Sequence, residues 1–418
     1  MPDTFQMWPQ IRARLRAGPF ASHLDPIIDG LTKRGYARTS IRLDLHVLDV
    51  LGTWLTRRGI PASAINEATI ARFVGGLVRH PSRARPRGRM PEIGCRARRI
   101  ATVLWEDGIA SRDVSTSAPT DLDQWLQSFD NHLWRVSGLS AGTRCCYLRF
   151  ARAFLSARFG TATLAWSFVT ADDLTTFVTV QAARLSPSGS RLPVTSMRAM
   201  LRFLVASGAV RAGLEGAVPT VRQWKLASLP RYLTAEEVDR VLVACGEGTA
   251  VRRRDRAALL LLVRLGMRAG EVAQLGLDDI DWRSGQLVVR TSKSGRQRKL
   301  PLLNEVGRAI ADYLRGGRPD RPDRAMFLGC RPPFRRLTSG AVTAIAKAAL
   351  RRAGVTVAHP GAHAFRHTAA TQMLRRGATF KQIADVLGHA CLTTTAIYAK
   401  LDLLSLARIA LPWPEGAR

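Results

Sequence analysis

The feature that most constrains the fold is an internal repeat in the first half of the chain. Residues 34–59, RGYARTSIRLDLHVLDVLGTWLTRRG, resemble residues 137–160, SGLSAGTRCCYLRFARAFLSARFG. The segment INEATIARFV is echoed in the same way by VTADDLTTFV, and CRARRIATVLWEDG is echoed by TSMRAMLRFLVASG. The three pairs follow one order at a spacing of about 100 residues, which predicts two helical domains of the same design.

Each copy is predicted to form four or five amphipathic helices, because apolar residues recur at helical spacing between Gly and Pro residues. The pattern weakens after residue 209, and a new helix is expected after Thr234, which forms a capping-box signature with Glu237. We therefore expect a helical domain at 1–112, a second at 113–215, a linker at 216–228, a third domain at 229–401 and a tail at 402–418.

The net charge points to a polyanionic partner. The chain carries 63 Lys and Arg against 32 Asp and Glu, a formal net charge of +31. Such an excess repels itself unless a polyanion is bound, and nucleic acid is the commonest one. Arg matches phosphate oxygens and guanine edges, although a bias towards Arg is equally typical of a GC-rich genome. The segment 79–92, RHPSRARPRGRMPE, is expected to be an exposed loop that either contacts phosphates or is simply solvated.

The sequence lacks the motifs of disulfide-rich, zinc-binding, membrane-spanning and secreted proteins and of several common enzyme classes. The six Cys form no CxxC pair, so neither a disulfide framework nor a zinc site is expected. No stretch has the length of a membrane-spanning helix, and the N-terminus lacks a secretory signal pattern, which indicates a cytoplasmic protein. The chain has no GxxxxGK[ST], HExxH or GxSxG motif. The acidic segment LDDIDW (277–282) could suggest a metal nuclease, but a turn between a helix and a strand fits it better, and we expect no metal or cofactor.

Polar residues that could perform chemistry lie in the last third of the chain. Arg268 follows a buried apolar helix, and Glu271 lies one helical turn later, where a structural ion pair is the alternative interpretation. The segment QLVVRTSKSGRQRKLPLL predicts a β-hairpin with Lys293 at its tip, where a lysine is usually just solvated. His363 and Arg366 are three residues apart in a helical stretch, so their side chains share one face.

The segment LGHACLTTTAIYAK (387–400) places His389 nine residues before Tyr398. Each residue alone would be typical of a helix terminus or a packed core. Together with LGMRAGEVAQL, TSKSGRQRKLPL and HAFRHTAAT, the segment resembles the tyrosine recombinase (phage integrase) family over roughly residues 229–412. Phe365 stands where the HxLR pattern of that family has leucine, an exchange between apolar residues.

The resemblance implies a mainly α fold with a small β-sheet in the catalytic domain. Two N-terminal helical, SAM-like DNA-binding units would precede an α+β tyrosine recombinase domain. The implied reaction is site-specific DNA recombination through a 3′-phosphotyrosine intermediate, without metal or ATP. The implied catalytic residues are Arg268, Lys293, His363, Arg366, His389 and the nucleophile Tyr398.

The resemblance also implies a role for each residue. Arg268 and Arg366 would bind the non-bridging oxygens of the scissile phosphate, and Lys293 would protonate the leaving 5′-oxygen. His363 would assist proton transfer with the nucleophile, and His389 would hydrogen-bond the phosphate.

The implied partner is double-stranded DNA, bound by a tetrameric synapse of this chain or by a hetero-assembly with related recombinases, with no membrane involved. The tail at 402–418 would contact a neighbouring subunit. We expect DNA to lie between the helical units and the catalytic domain of a C-shaped clamp. The leading hypothesis is integration or excision of a mobile element. The alternatives are a Xer-type dimer resolvase and an accessory DNA-binding subunit of a multi-recombinase complex. A type IB topoisomerase uses related chemistry, but His363 and the two helical units favour recombination.

Overall fold

The computed structural model describes most of the chain, with gaps between segments. The described residues are 7–79, 90–112, 120–160, 162–186, 189–220, 232–246, 248–290, 297–389, 391, 395 and 397–398. The chain divides into two compact units, of which one comprises Met1–Arg112 with Ser228–Arg418 and the other comprises Asp113–Ala227. None of the described helices is long and apolar enough to cross a membrane.

Residues 7–79 and 90–112 form a helical bundle. Its helices are α1 (Pro9–Ala17), α2 (Leu24–Lys33), α3 (Arg38–Thr56), α4 (Glu67–Arg79) and α5 (Met90–Glu106). Apolar residues at helical spacing on α3, among them Leu45, Leu48 and Leu51, are fully buried and form the core with α5. The carboxylate of Asp44 is also buried in this core, where it accepts hydrogen bonds from Arg96 and Arg99 on α5 at 2.8 and 2.9 Å.

The second unit repeats this arrangement. Its helices are α6 (Asp121–Arg135), α7 (Ala141–Phe159), α8 (Ala171–Ala183) and α9 (Arg191–Ala206). Helix α9 packs on α7 and α8 as α5 packs on α3 and α4, and a short 3₁₀ turn precedes both α4 and α8. The order of elements therefore agrees with the repeat expected from the sequence.

The chain stays with the second unit beyond residue 215. Val218 is buried, and Thr175 on α8 donates a hydrogen bond to the carbonyl oxygen of Ala217 at 3.1 Å. Arg198 on α9 donates to the carbonyl oxygen of Val218 at 3.0 Å. The expected linker at 216–228 therefore begins inside this unit, and its remaining residues from 221 onward lie outside the described part of the chain.

The third region is mainly helical with one small sheet, as expected for the fold class. Its elements are α10 (Ala235–Cys245), α11 (Ala250–Arg264), α12 (Ala269–Gln274), β1 (Ile280–Asp281), β2 (Gln286–Val289), β3 (Arg298–Pro301), α13 (Asn304–Gly316), α14 (Ser339–Arg352), α15 (Ala362–Arg375) and α16 (Phe380–Leu387). Helix α10 begins at the expected capping box of Thr234 and Glu237. The fully buried run Leu259–Val263 places α11 at the centre, in contact with α13 and α15.

The three strands form one antiparallel sheet in the order β1-β2-β3. In the β2–β3 hairpin, Leu287 lies opposite Leu300 and Val289 lies opposite Arg298. The hairpin expected from the sequence is therefore present. Lys293, which we placed at its tip, lies outside the described residues.

The central position of α11 can be tested by truncating Leu260, which is fully buried. Leu260→Ala should lower the free energy of unfolding by about 3–5 kcal/mol, because it removes apolar contacts and leaves a cavity. Val243→Ala on α10 is the matched control, since Val243 is 76% exposed and its truncation should cost within about 0.5 kcal/mol. Urea unfolding followed by circular dichroism measures both, and equal losses would contradict the assignment of α11 to the core.

Candidate active site

Five of the six residues implied by the sequence are described. Arg268 stands at the N-terminal end of α12, and His363 and Arg366 lie one turn apart on α15. His389 follows the C-terminal end of α16, and Tyr398 lies in a short turn beyond it. These segments meet in space, while the position of Lys293 is outside the described residues.

Three of these residues open onto one cleft of about 810 Å³. Among the described residues, its lining includes Arg268, His363, Arg366, Lys347 and His359. The pKa of His363 is lowered by partial desolvation at the cleft wall and by the positive charges of Arg366 and Arg268. The cleft is thus lined by three cationic side chains, Arg268, Lys347 and Arg366, and by the Glu271 carboxylate, which leaves it net positive and suited to a phosphate group.

The carbonyl groups at the end of α16 position the arginines. Arg298 donates to the carbonyl oxygen of Val386 at 2.8 Å, Arg366 to that of Leu387 at 2.7 Å, and Arg268 to that of Gly388 at 2.9 Å. These oxygens belong to the last turn of a helix, where carbonyl groups lack intrahelical partners and carry partial negative charge. Three consecutive carbonyl groups thus each bind a different guanidinium group.

Gly388 allows this arrangement because its backbone is left-handed, with φ of 63°. A side chain at this position would also collide with the guanidinium of Arg298. The glycine in the Leu-Gly-His segment therefore ends the helix and leaves room for an arginine.

Glu271 is the acid that balances this cluster. Its side chain is 3% exposed, and it accepts bonds from Arg268 Nη1 at 2.8 Å and from both Nη atoms of Arg298, at 3.0 and 2.8 Å. Burial raises the pKa of Glu271, but the hydrogen bonds from Arg298 and from the Arg268 backbone outweigh burial and leave the pKa below its ordinary value. The ion pair of Arg268 with Glu271 is present, and it orients an arginine that also faces the cleft.

Arg366 is almost fully buried on α15. It donates to the carbonyl oxygens of Gly266 at 2.6 Å and of Leu387 at 2.7 Å. Burial and the neighbouring charge of Arg268 lower the pKa of Arg366 to about 10, so the side chain stays protonated at neutral pH. A guanidinium group carries five N–H donors, so these two bonds leave the group able to bind an anion as well.

His389 is held by a threonine of the following segment. Its Nδ1 lies 2.7 Å from the hydroxyl oxygen of Thr395, which is fully buried. Burial and the positive charges of Arg366 and Arg268 lower the pKa of His389 to about 4, so the ring is neutral near pH 7. With Nδ1 engaged, Nε2 is the atom of His389 that could donate to a ligand.

Tyr398 is 2% exposed and packs against Ala370, Ile383 and Leu387. Its hydroxyl oxygen lies 2.9 Å from Nδ1 of His367, which is one helical turn after His363 on α15. Burial raises the pKa of Tyr398 to about 12, so the phenol is protonated at neutral pH.

Two residues of this site were not expected from the sequence. His367 could have been noticed because it lies four residues after His363, on the same face of a helix. Arg298 offered no such signal, since an arginine in a short strand is ordinary on a surface. Within the described ranges, no group of three or more His, Cys, Asp or Glu side chains is placed to hold a metal ion.

The arrangement combines a cationic cleft for an anion with a tyrosine hydroxyl nearby. Guanidinium groups stabilise the charge that develops when a phosphate is attacked, and a tyrosine can serve as a covalent nucleophile. The site is therefore suited to phosphoryl transfer to a tyrosine.

Comparisons with known proteins agree with this geometry. Residues 231–403 match the family model of the phage integrase family. Over 402 residues, which cover 96% of both proteins, the chain is 35% identical to the integrase/recombinase y4rA of Sinorhizobium fredii. It is 30% identical over 303 residues to the tyrosine recombinase XerD of Mycobacterium tuberculosis, covering 68% of this chain and 95% of XerD.

Two solved structures share the fold at low sequence identity. The XerH site-specific recombinase, in a post-cleavage complex with a palindromic difH substrate, is 18% identical with a TM-score of 0.53, covering 90% of this chain and 97% of that one. The lambda integrase (75–356) dimer bound to a COC′ core site is 19% identical with a TM-score of 0.52, covering 70% of this chain and 98% of that one.

The role of Glu271 can be tested by Glu271→Gln, which leaves Arg268 and Arg298 without their shared negative charge. The free energy of unfolding should fall by about 3 kcal/mol near pH 7, because one partner of a buried ion pair is lost. The control is Glu305→Gln, since Glu305 pairs with Arg264 at 2.8 Å in a more exposed position, where such a pair is worth about 0–1 kcal/mol.

The difference between the wild type and Glu271→Gln should depend on pH. Because the folded pKa of Glu271 is below its unfolded value of 4.5, its contribution is complete above pH 4.5 and is lost as the pH falls through the folded pKa. Urea titrations from neutral pH to below that value measure this, and a difference that grows on acidification would contradict the argument.

Proposed function

Because the chain belongs to the phage integrase family of tyrosine recombinases, which cleave and rejoin DNA, we propose that its site-specific recombination proceeds by attack of Tyr398 on a phosphate bound in the cleft. The observation that carries the proposal is that Arg268, His363 and Arg366 line one cleft, with the last turn of α16 joining them to His389 and Tyr398. The Arg268 and Arg366 guanidinium groups bind the non-bridging oxygens and stabilise the added charge of the transition state.

The proton transfers follow from the bonds that form and break. The Tyr398 oxygen forms a bond to phosphorus, and the bond from phosphorus to the 5′-oxygen breaks, which leaves a 3′-phosphotyrosine and a free 5′-hydroxyl. The phenol proton passes to His363, and the 5′-oxygen takes a proton from Lys293. His389 donates from Nε2 to the phosphate, which its bond to Thr395 through Nδ1 supports.

The covalent intermediate makes the reaction reversible. The phosphotyrosine bond replaces a phosphodiester bond, so a 5′-hydroxyl of a second DNA strand can attack it and release Tyr398 without an external energy source. Strand exchange therefore needs an assembly that brings two DNA duplexes together, and we assign it to several copies of this chain on DNA or to this chain with related recombinases.

The biological role that we propose is integration or excision of a mobile element. The relative aligned over 96% of this chain carries the name integrase/recombinase, whereas the alignment with XerD covers 68% of the chain. Similarity over nearly the whole length, including the first helical domain, favours the hypothesis of an integrase over that of a dimer resolvase. Intact candidate catalytic residues favour an enzyme over an accessory DNA-binding subunit.

Tyr398→Phe should abolish the covalent protein–DNA adduct on nicked suicide substrates made from the ends of the element, because the nucleophilic oxygen is removed. DNA affinity should stay within about twofold of the wild type, since Tyr398 is buried and does not contribute charge. Denaturing gels detect the adduct. Tyr313→Phe is the control, as Tyr313 is also fully buried but packs on Phe327, and it should retain the adduct. An adduct that persists in Tyr398→Phe would refute the assignment of the nucleophile.

Lys347 should bind a phosphate of the backbone beside the scissile one, since it lines the same cleft and its side chain lies against Gly361. Lys347→Ala should weaken binding about equally on specific and random DNA, and the slope of log affinity against log salt should fall by about 0.9. Fluorescence anisotropy at several salt concentrations measures this. Lys381→Ala, which removes an exposed lysine paired with Asp385 on α16, is the control and should leave the slope unchanged.

A further inference from the structure

We propose that His367 is a positioning residue that holds the Tyr398 hydroxyl away from the cleft until DNA is bound. The inference rests on the proposed role of Tyr398 as the nucleophile. It adds a residue to the six implied by the sequence, and it assigns that residue to the stage before chemistry.

The first observation is where the hydroxyl lies. Among the described residues that line the cleft, Arg268, His363 and Arg366 are present but Tyr398 is not. Tyr398 is 2% exposed, and its ring lies in the small apolar cluster between α15 and α16. The hydroxyl must therefore leave its present partner before its oxygen can reach a phosphate in the cleft.

The second observation is how the hydroxyl is held. Its oxygen lies 2.9 Å from His367 Nδ1, and the two rings meet edge to face with centroids 5.7 Å apart. The His367 ring also packs edge to face on that of His363, with centroids 4.8 Å apart. An imidazole at the end of a buried phenol satisfies a hydroxyl that would otherwise be buried without a partner.

The third observation concerns charge. Burial, with the nearby His363 and Arg366, lowers the pKa of His367 to about 4, so its ring is neutral near pH 7. The phenol is also neutral, so it donates to Nδ1 in an ordinary hydrogen bond between uncharged groups. Such a bond shifts an equilibrium by roughly tenfold, which is enough to favour the held position and little enough for DNA to overcome.

The two histidines on α15 therefore have different tasks. His363 faces the cleft and takes part in the transfer, whereas His367, one turn further, faces the apolar cluster and holds the nucleophile. The spacing of four residues turns the two rings to neighbouring positions on the same side of the helix.

Three substitutions of His367 separate this role from a purely structural one. His367→Asn keeps an acceptor oxygen at the same number of bonds from Cα as Nδ1, whereas His367→Gln moves the acceptor one bond farther and His367→Leu removes it. The primary readout is the rate at which N-acetylimidazole modifies Tyr398 in the full chain without DNA, followed by peptide mass spectrometry. The rate should rise about tenfold in the Leu and Gln variants and stay near the wild type in the Asn variant.

The internal reference for folding is Tyr313, which is fully buried and accepts a hydrogen bond from the Leu328 backbone. Its protection should be the same in all four proteins. If Tyr313 becomes reactive in His367→Leu, that variant is partly unfolded. The comparison of His367→Asn with His367→Gln then tests the proposal, since both new side chains are polar and similar in size.

The second readout is single-turnover adduct formation on suicide DNA. Adducts should form up to tenfold faster in the Leu and Gln variants at unchanged DNA affinity, because less of the nucleophile is held back. Equal labelling of Tyr398 in all four proteins would overturn the proposal. So would loss of the adduct in Leu and Gln with retention in Asn, because His367 would then act in the chemical step. If Tyr398→Phe still forms the adduct, the proposed function fails instead, and the labelling result stands independently of it.

Discussion

The site depends on the hydrogen bonds that the carbonyl groups in the last turn of α16 accept. The carbonyl groups of Val386, Leu387 and Gly388 point out of the end of α16, and each accepts a hydrogen bond from a different arginine. A helix end with buried, unpaired carbonyl groups would be costly, so these bonds stabilise the helix. The same bonds orient the two arginines proposed to bind phosphate. The same three hydrogen bonds therefore stabilise the end of α16 and set the geometry of the site.

The cluster of arginines around the end of α16 carries more positive than negative charge. Among the described residues that these bonds connect, Glu271 supplies one carboxylate, which pairs with Arg268 and Arg298, while Arg366 donates only to the carbonyl oxygens of Gly266 and Leu387. Burial, and after it the neighbouring positive charges, lowers the pKa of Arg366 and of the histidines around it. A phosphate that entered the cleft would reduce the repulsion between these positive charges. The repulsion in the free protein therefore favours binding of an anion.

The two helical units before the catalytic region follow the same plan with different details. In the first, Asp44 is buried in the core and paired with two arginines, whereas in the second the buried Phe129 contacts an aromatic cluster, in which Trp125 stacks on Phe129 and meets Phe203 at a tilt. A repeated helical framework thus tolerates different interiors, because the apolar spacing of its helices is kept. Both units belong to a chain of net charge +31, which favours binding to a polyanion such as DNA.

What the sequence determined by itself is local or carried by motifs. The helical repeat, the capping box before α10 and the β2–β3 hairpin could be read from spacing and residue type, because each depends on neighbours in the chain. The six candidate catalytic residues were implied by the resemblance of their motifs to a family, and their roles stay a prediction. The tertiary structure alone decided that His367 meets Tyr398 across 31 residues and that Arg298 meets Glu271 across 27. Helical and strand periodicity describe which face a residue occupies, but not which distant segment packs against that face. The partner of a buried hydroxyl or carboxylate is set by that packing, so only the folded chain reveals it.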